Sequence, residues 1–103
     1  MADKAWKRRE RKVAEFFCGE RTPLSGGNGK VTRADVIHDR LFVECKLRKK
    51  HSVISLWDKT KAMAITENKI PVVGLCEKNR PGFWLMVHSE DMNRIIKIIE
   101  RDR

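Results

Sequence analysis

At 103 residues the chain is one domain's worth of sequence, and 41% hydrophobic with 36% charged residues is a globular balance, neither disordered nor fibrous. Lys and Arg number 23 against 14 Asp and Glu, a net charge of +9, which favours a polyanionic partner, nucleic acid before an anionic membrane surface. No apolar run approaches the roughly 20 residues of a membrane span, the basic N-terminus has no apolar stretch behind it, and Cys18, Cys45 and Cys76 are scattered without a C-x-x-C pair, so a secretory signal, a zinc site and a disulfide framework are all disfavoured and a reducing, cytoplasmic setting is expected.

The elements follow in chain order. Residues 3–18, "DKAWKRRERKVAEFFC", read as a helix with Trp6, Val13 and Phe17 on one stripe, widened by Ala14 and Phe16, and with Gly19 as its stop. Residues 20–31 are loop-like, broken by Pro23, Gly26, Gly27 and Gly29. "TRADVIH" and "RLFVECKL" read as two strands joined by a tight turn at Asp39, followed by a basic connector over 48–53. A helix is predicted over 55–68, capped by Ser55, then an apolar strand "IPVVGLC", a turn "KNRPG" and a returning strand "FWLMVH". The closing helix spans 89–102, with Ser89 as cap, Glu90 and Asp91 at its positive end, and Met92, Ile95, Ile96 and Ile99 as its buried face. The expected fold is one α/β domain over 1–103, a mixed β-sheet flanked by helices in α-β-β-α-β-β-α order, with room for an extra short strand in the 20s or near residue 53.

The segment "LFVECKLRKK" carries the chemistry. Alternation puts Leu41, Val43, Cys45 and Leu47 on one face, expected to be the core face, and Phe42, Glu44 and Lys46 on the other. Glu44 and Lys46 are then about 6.6 Å apart along the backbone. A hairpin centred near Asp39 brings Asp35 close to Glu44. Two carboxylates about 4 Å apart repel by about 4 kcal/mol at an effective dielectric of 20. A divalent cation turns that repulsion into binding, and oxygen donors of this kind suit Mg²⁺, with Mn²⁺ as substitute. Lys46 is then placed to assist a metal-bound water or to stabilise charge on a phosphate.

"ADVIHDRLFVECK" resembles the D-x(n)-E-x-K signature of the PD-(D/E)XK nuclease superfamily, and within it the small phage and archaeal Holliday-junction-resolvase-type endonucleases. The likeness runs from the first helix through "IPVVGL". It implies a restriction-endonuclease-like fold, hydrolysis of DNA phosphodiesters to 5′-phosphate and 3′-hydroxyl ends, a branched or four-way-junction substrate, and a homodimer. It also implies that Asp35, Glu44 and the Cys45 backbone carbonyl hold Mg²⁺ while Lys46 serves the attacking water. Where the superfamily name has Pro before the first acid, this chain has Ala34.

The same group carries a glutamate on its first helix. Here Glu10 falls about 40° from Trp6 on the apolar stripe of Trp6, Val13 and Phe17, whereas Glu15 lies on the solvated face. A carboxylate on a core-facing stripe needs a reason. A second metal or a ligand water is one, and a salt bridge to Lys46 or Arg33 is the alternative. Resemblance further assigns Ser25 to phosphate contact, the alternative being an ordinary polar loop residue, and puts Lys59 near the site.

The basic residues Arg8, Lys12, Lys30, Arg33, Arg48, Lys49 and Lys50 are the candidate nucleic-acid contacts, with solvated charge as the plainer reading. "GGNGKVT" fails as a Walker A loop, because Leu24 and Val31 stand where glycine and Ser or Thr are needed. His38, His51 and His88 have no metal spacing; His51, in a basic run, is a solvated residue before it is a DNA contact. Trp57 and Trp84 are core or interface residues by default, and Asp39 is a turn residue. The expected function is thus a Mg²⁺-dependent, structure-selective DNA endonuclease. The rivals are a nuclease of the same fold cutting flaps, nicked duplex or single strands, and a basic DNA-binding module with merely structural acids.

Overall fold

A computed structural model describes residues 4–23 and 32–103. It is a mixed α/β chain with three α-helices and two small antiparallel sheets. The chain divides into two compact units, Met1–Lys49 and Lys50–Arg103, described in turn.

In the first unit α1 spans Ala5–Phe16, two residues short of the predicted span at each end. It closes in a Schellman turn: Gly19 N–H donates to the Ala14 carbonyl (2.8 Å) and Cys18 N–H to that of Glu15 (3.1 Å). The residue in the left-handed region is Cys18, at φ 59°. Gly19 has a different task, because a Cβ there would stand 2.5 Å from the Ile37 carbonyl oxygen and 2.8 Å from Val36 Cγ1. The helix packs on β1 (Glu20–Arg21) and β2 (Val36–Ile37). These pair antiparallel, Glu20 with Ile37 and Arg21 with Val36. Ala14, Thr22, Ala34 and Val36 form the buried centre. The short strand anticipated in the 20s is β1.

The predicted strand over 40–47 is not regular. It touches β2 through one antiparallel bridge, Val36 to Val43, and Leu41, Phe42 and Leu47 stand exposed. The expected core face is therefore corrected: alternation of side chains makes a buried strand only where a neighbour covers one face, and here pairing stops at Val43. The turn between the two segments is organised by His38, whose Nδ1 accepts from the Arg40 and Leu41 amides, both at 3.0 Å; Asp39 is exposed within it.

In the second unit α2 spans Ser52–Thr66. Ser55 lies inside it and His51 holds the N-cap position, a correction to the predicted start. Asn68, at φ 56°, ends it in a second Schellman turn, with Lys69 N–H on the Ala64 carbonyl and Asn68 N–H on that of Ile65. The hairpin of β3 (Val73–Leu75) and β4 (Trp84–Met86) forms around the predicted turn, with Val73 opposite Met86. A 3₁₀ turn at Ser89–Asp91 leads into α3, Met92–Asp102. His88 rather than Ser89 supplies the cap, its Nδ1 accepting from the Glu90 amide at 3.1 Å. Met92, Ile96 and Ile99, predicted to be buried, are exposed, and Ile95 is half-buried. Strands of three residues offer little surface to cover a three-turn apolar face.

Among the described residues the strands form two separate two-stranded antiparallel sheets rather than one mixed sheet. The sequence of elements still runs helix, strand, strand, helix, strand, strand, helix. Its first two strands, however, are 20–21 and 36–37 in place of 32–38 and 40–47.

Candidate functional site

Asp35 sits in the middle of the first unit's strands. Its carbonyl accepts from the Thr22 amide (3.0 Å) and its own amide donates to the Val43 carbonyl (2.9 Å). Thr22 braces the neighbouring peptide, its hydroxyl donating to the Ala34 carbonyl at 2.7 Å, and the Ala34 amide donates to Thr32 Oγ1 at 3.1 Å. The Asp35 side chain then accepts from the Cys45 amide through Oδ2 at 2.6 Å, a short contact in keeping with a charged acceptor. Asp35 thus fastens the chain on both sides of Glu44, at 43 through its backbone and at 45 through its carboxylate.

Glu44 reaches along its own segment to Lys46, Oε2 to Nζ at 2.8 Å, with the side chains 46% and 55% exposed. Half-open to water, the pair is worth at most about 1 kcal/mol. The acid, the second acid and the amine singled out in the sequence are therefore gathered on one irregular hairpin.

Glu10 is held differently. Arg21 Nε donates to Glu10 Oε1 at 2.9 Å, and the two side chains are only 15% and 12% exposed. The guanidinium also lies over the Trp6 ring, 5.2 Å from its centroid. Trp6 and Glu10 are four apart on α1 and so share a face; between them they grip one cation delivered by β1. Glu10 does have a salt bridge, and its partner is Arg21. The partner was missed because it lies on a strand too short to announce itself. The signal was an aromatic ring and a carboxylate at i and i+4, a ready slot for an arginine.

The thiol of Cys45 records the surrounding charge. It is pushed above the ordinary thiol range, first by burial and then by the negative charges of Asp35, Glu10 and Glu44. All three candidate acids therefore act on one point. Among the described residues, no group of three or more His, Cys, Asp or Glu side chains stands close enough to hold a metal ion.

Ser25 and Lys30 lie outside the described residues. Arg8, Lys12, Arg33, Arg48 and Lys49 are exposed on the first unit, with Arg8 and Lys12 one turn apart on α1; Lys50 and Lys59 are exposed on the second. Trp57, a core or interface residue by default, is half-buried and lines a cleft of about 430 Å³ in the second unit with Lys61, His88 and Arg94. Its ring lies 5.6 Å from that of His88. No helix among the described residues is long and apolar enough to cross a membrane.

No protein-family model, curated protein or solved structure matches this chain.

Proposed function

We propose that the chain is a Mg²⁺-dependent, structure-selective DNA endonuclease, with a four-way junction as its substrate and a homodimer as its working form. The observation that carries this reading is the double hold of Asp35 on residues 43 and 45, which keeps Glu44 and its partner Lys46 beside a second carboxylate on one hairpin.

The donor types suit a hard cation. Asp35 and Glu44 offer carboxylate oxygens, the Cys45 carbonyl offers a third, and Mg²⁺ asks for only one or two carboxylates, completing its shell with water and phosphate oxygens. The concentration of negative charge that acts on the Cys45 thiol is a field that a divalent ion would relieve. When bound there, such an ion supplies charge neutralisation and a more acidic water.

The chain's own residues do the rest. Asp35 anchors the Glu44–Cys45 peptide through the Cys45 amide, which limits how far the following Cys45 carbonyl can swing. Glu44 holds Lys46 by an ion pair that phosphate can displace, since both groups are half-open to solvent. Lys46 then stands ready to orient the attacking water or to bind the phosphate oxygen that gains charge. Exposed Arg8, Lys12, Arg33, Arg48, Lys49 and Lys50 give the sequence-independent phosphate contacts that position DNA.

One observation favours the rival reading of a DNA-binding module with structural acids: Glu10, Asp35 and Glu44 each already have a partner in Arg21, the Cys45 amide and Lys46. A gel assay with a four-way junction, a flap and a linear duplex, each with and without Mg²⁺, separates the readings. Cutting of the junction alone, dependent on Mg²⁺, is expected. Equal cutting of all three removes the junction preference, and binding without cutting leaves the binding module.

A further inference from the structure

We propose that Arg21 takes the place of a second metal ion at Glu10, so that the site works with one divalent cation per chain; this rests on the nuclease reading above. A glutamate on the first helix of such a site has two ways to be neutralised, a second cation or a side chain. In this chain the side chain is present. The Arg21 guanidinium is 2.9 Å from Glu10 Oε1, and both groups are well buried.

Arg21 cannot easily be displaced. Its backbone is paired opposite Val36 in the β1–β2 ladder, its guanidinium lies over Trp6, and Trp6 and Glu10 belong to the same face of one helix. Removing the guanidinium would leave Glu10 as a buried, unpaired carboxylate, which is costly. While it stays, a divalent ion approaching Glu10 meets a neutralised pair instead of a free negative charge. Arg21 is in this sense a positioning residue: it fixes Glu10 and sets how many cations the site demands, without touching DNA or the attacked phosphate.

The test is a titration of the intact protein with Mn²⁺, without DNA, following the EPR signal of free Mn²⁺. The wild type should bind one ion per chain. Arg21→Gln should gain a second, and so should Trp6→Leu, more weakly, because it keeps every charge but removes the ring that holds the guanidinium. Arg21→Gln combined with Glu10→Gln should return to one. The Trp6→Leu and doubly substituted proteins keep the comparison meaningful if Arg21→Gln folds poorly, which thermal unfolding will show. Two ions per wild-type chain, with junction cutting intact, overturns this inference and spares the nuclease reading. So does a count that stays at one in Trp6→Leu and in folded Arg21→Gln. A wild type that binds no Mn²⁺ and cuts nothing overturns both.

Discussion

The Cys45 amide donates to the Asp35 carboxylate at 2.6 Å, so the first acid of the proposed site is also a structural strut. Asn at 35 keeps an acceptor and loses the charge, whereas Ala loses both. Asp35→Ala should cost about 1.5–3 kcal/mol of stability, the range for a hydrogen bond to a charged group, and Asp35→Asn distinctly less. Cleavage should vanish in both. Chemical denaturation beside the junction assay distinguishes the roles; an active Asp35→Asn would leave the strut and remove the ligand.

Glu44 and Lys46 contrast with Asp35, being half-open to water. Glu44→Gln and Lys46→Ala should stay within about 1 kcal/mol of the wild type, bind a junction nearly as well, and fail to cut it. Denaturation midpoints, gel-shift affinities and cleavage rates measured on the same preparations check this. Cutting at the wild-type rate by both variants would remove the catalytic assignment.

Cys45 gives the pH dependence. Its raised thiol pKa means that the folded state holds this proton more tightly than the unfolded state, whose cysteines titrate near about 8.5. The stabilisation is fully present below that value and is lost as pH rises through the higher folded value. Wild-type stability should therefore fall relative to Cys45→Ser between neutral and strongly alkaline pH. In the metal-free protein Cys45 should also be alkylated more slowly than the exposed Cys18 and Cys76, as peptide mass spectrometry after brief iodoacetamide treatment would show.

Gly19 is required by space. An alanine there must push against the Ile37 carbonyl and the Val36 side chain, and Val36 is the most deeply buried large side chain described. Overpacking of this kind costs about 1–3 kcal/mol. Gly19→Ala should lower the thermal midpoint more than Gly74→Ala, where an added Cβ meets nothing within 4 Å.

The exposed cations after the hairpin should show in the salt dependence of DNA binding. Each phosphate contact contributes a slope of about −0.9 in log affinity against log salt. Replacing Arg48, Lys49 and Lys50 together by Gln should flatten the slope by up to about 2.7 and weaken all DNA forms alike. An unchanged slope would place the contacts elsewhere.

The sequence made the helices and the second hairpin legible, because apolar spacing and the "KNRPG" turn are local signals. It also brought Asp35 to Glu44 correctly onto one hairpin, since a tight turn fixes which residues oppose each other. What it concealed was contingent on partners. "RLFVECKL" alternates like a strand, but alternation says nothing about whether a neighbour is there to bond it. Arg21 looked like a loop residue, because the ring and carboxylate that hold it are on another element. The capping roles of His38 and His88 were hidden for the same reason: an imidazole nitrogen that accepts from nearby amides leaves no spacing pattern in the sequence. Ser55 and Ser89 have the composition of caps, yet the helices begin elsewhere.

The Schellman turn after α1 puts a thiol-bearing residue, Cys18, in backbone space that suits glycine. Exchanging it for glycine would relieve roughly 1 kcal/mol of local crowding and strip an oxidation-prone sulfur from the exterior. With Cys76 also replaced, Cys45 would remain as a lone attachment point for a spectroscopic label beside the acids.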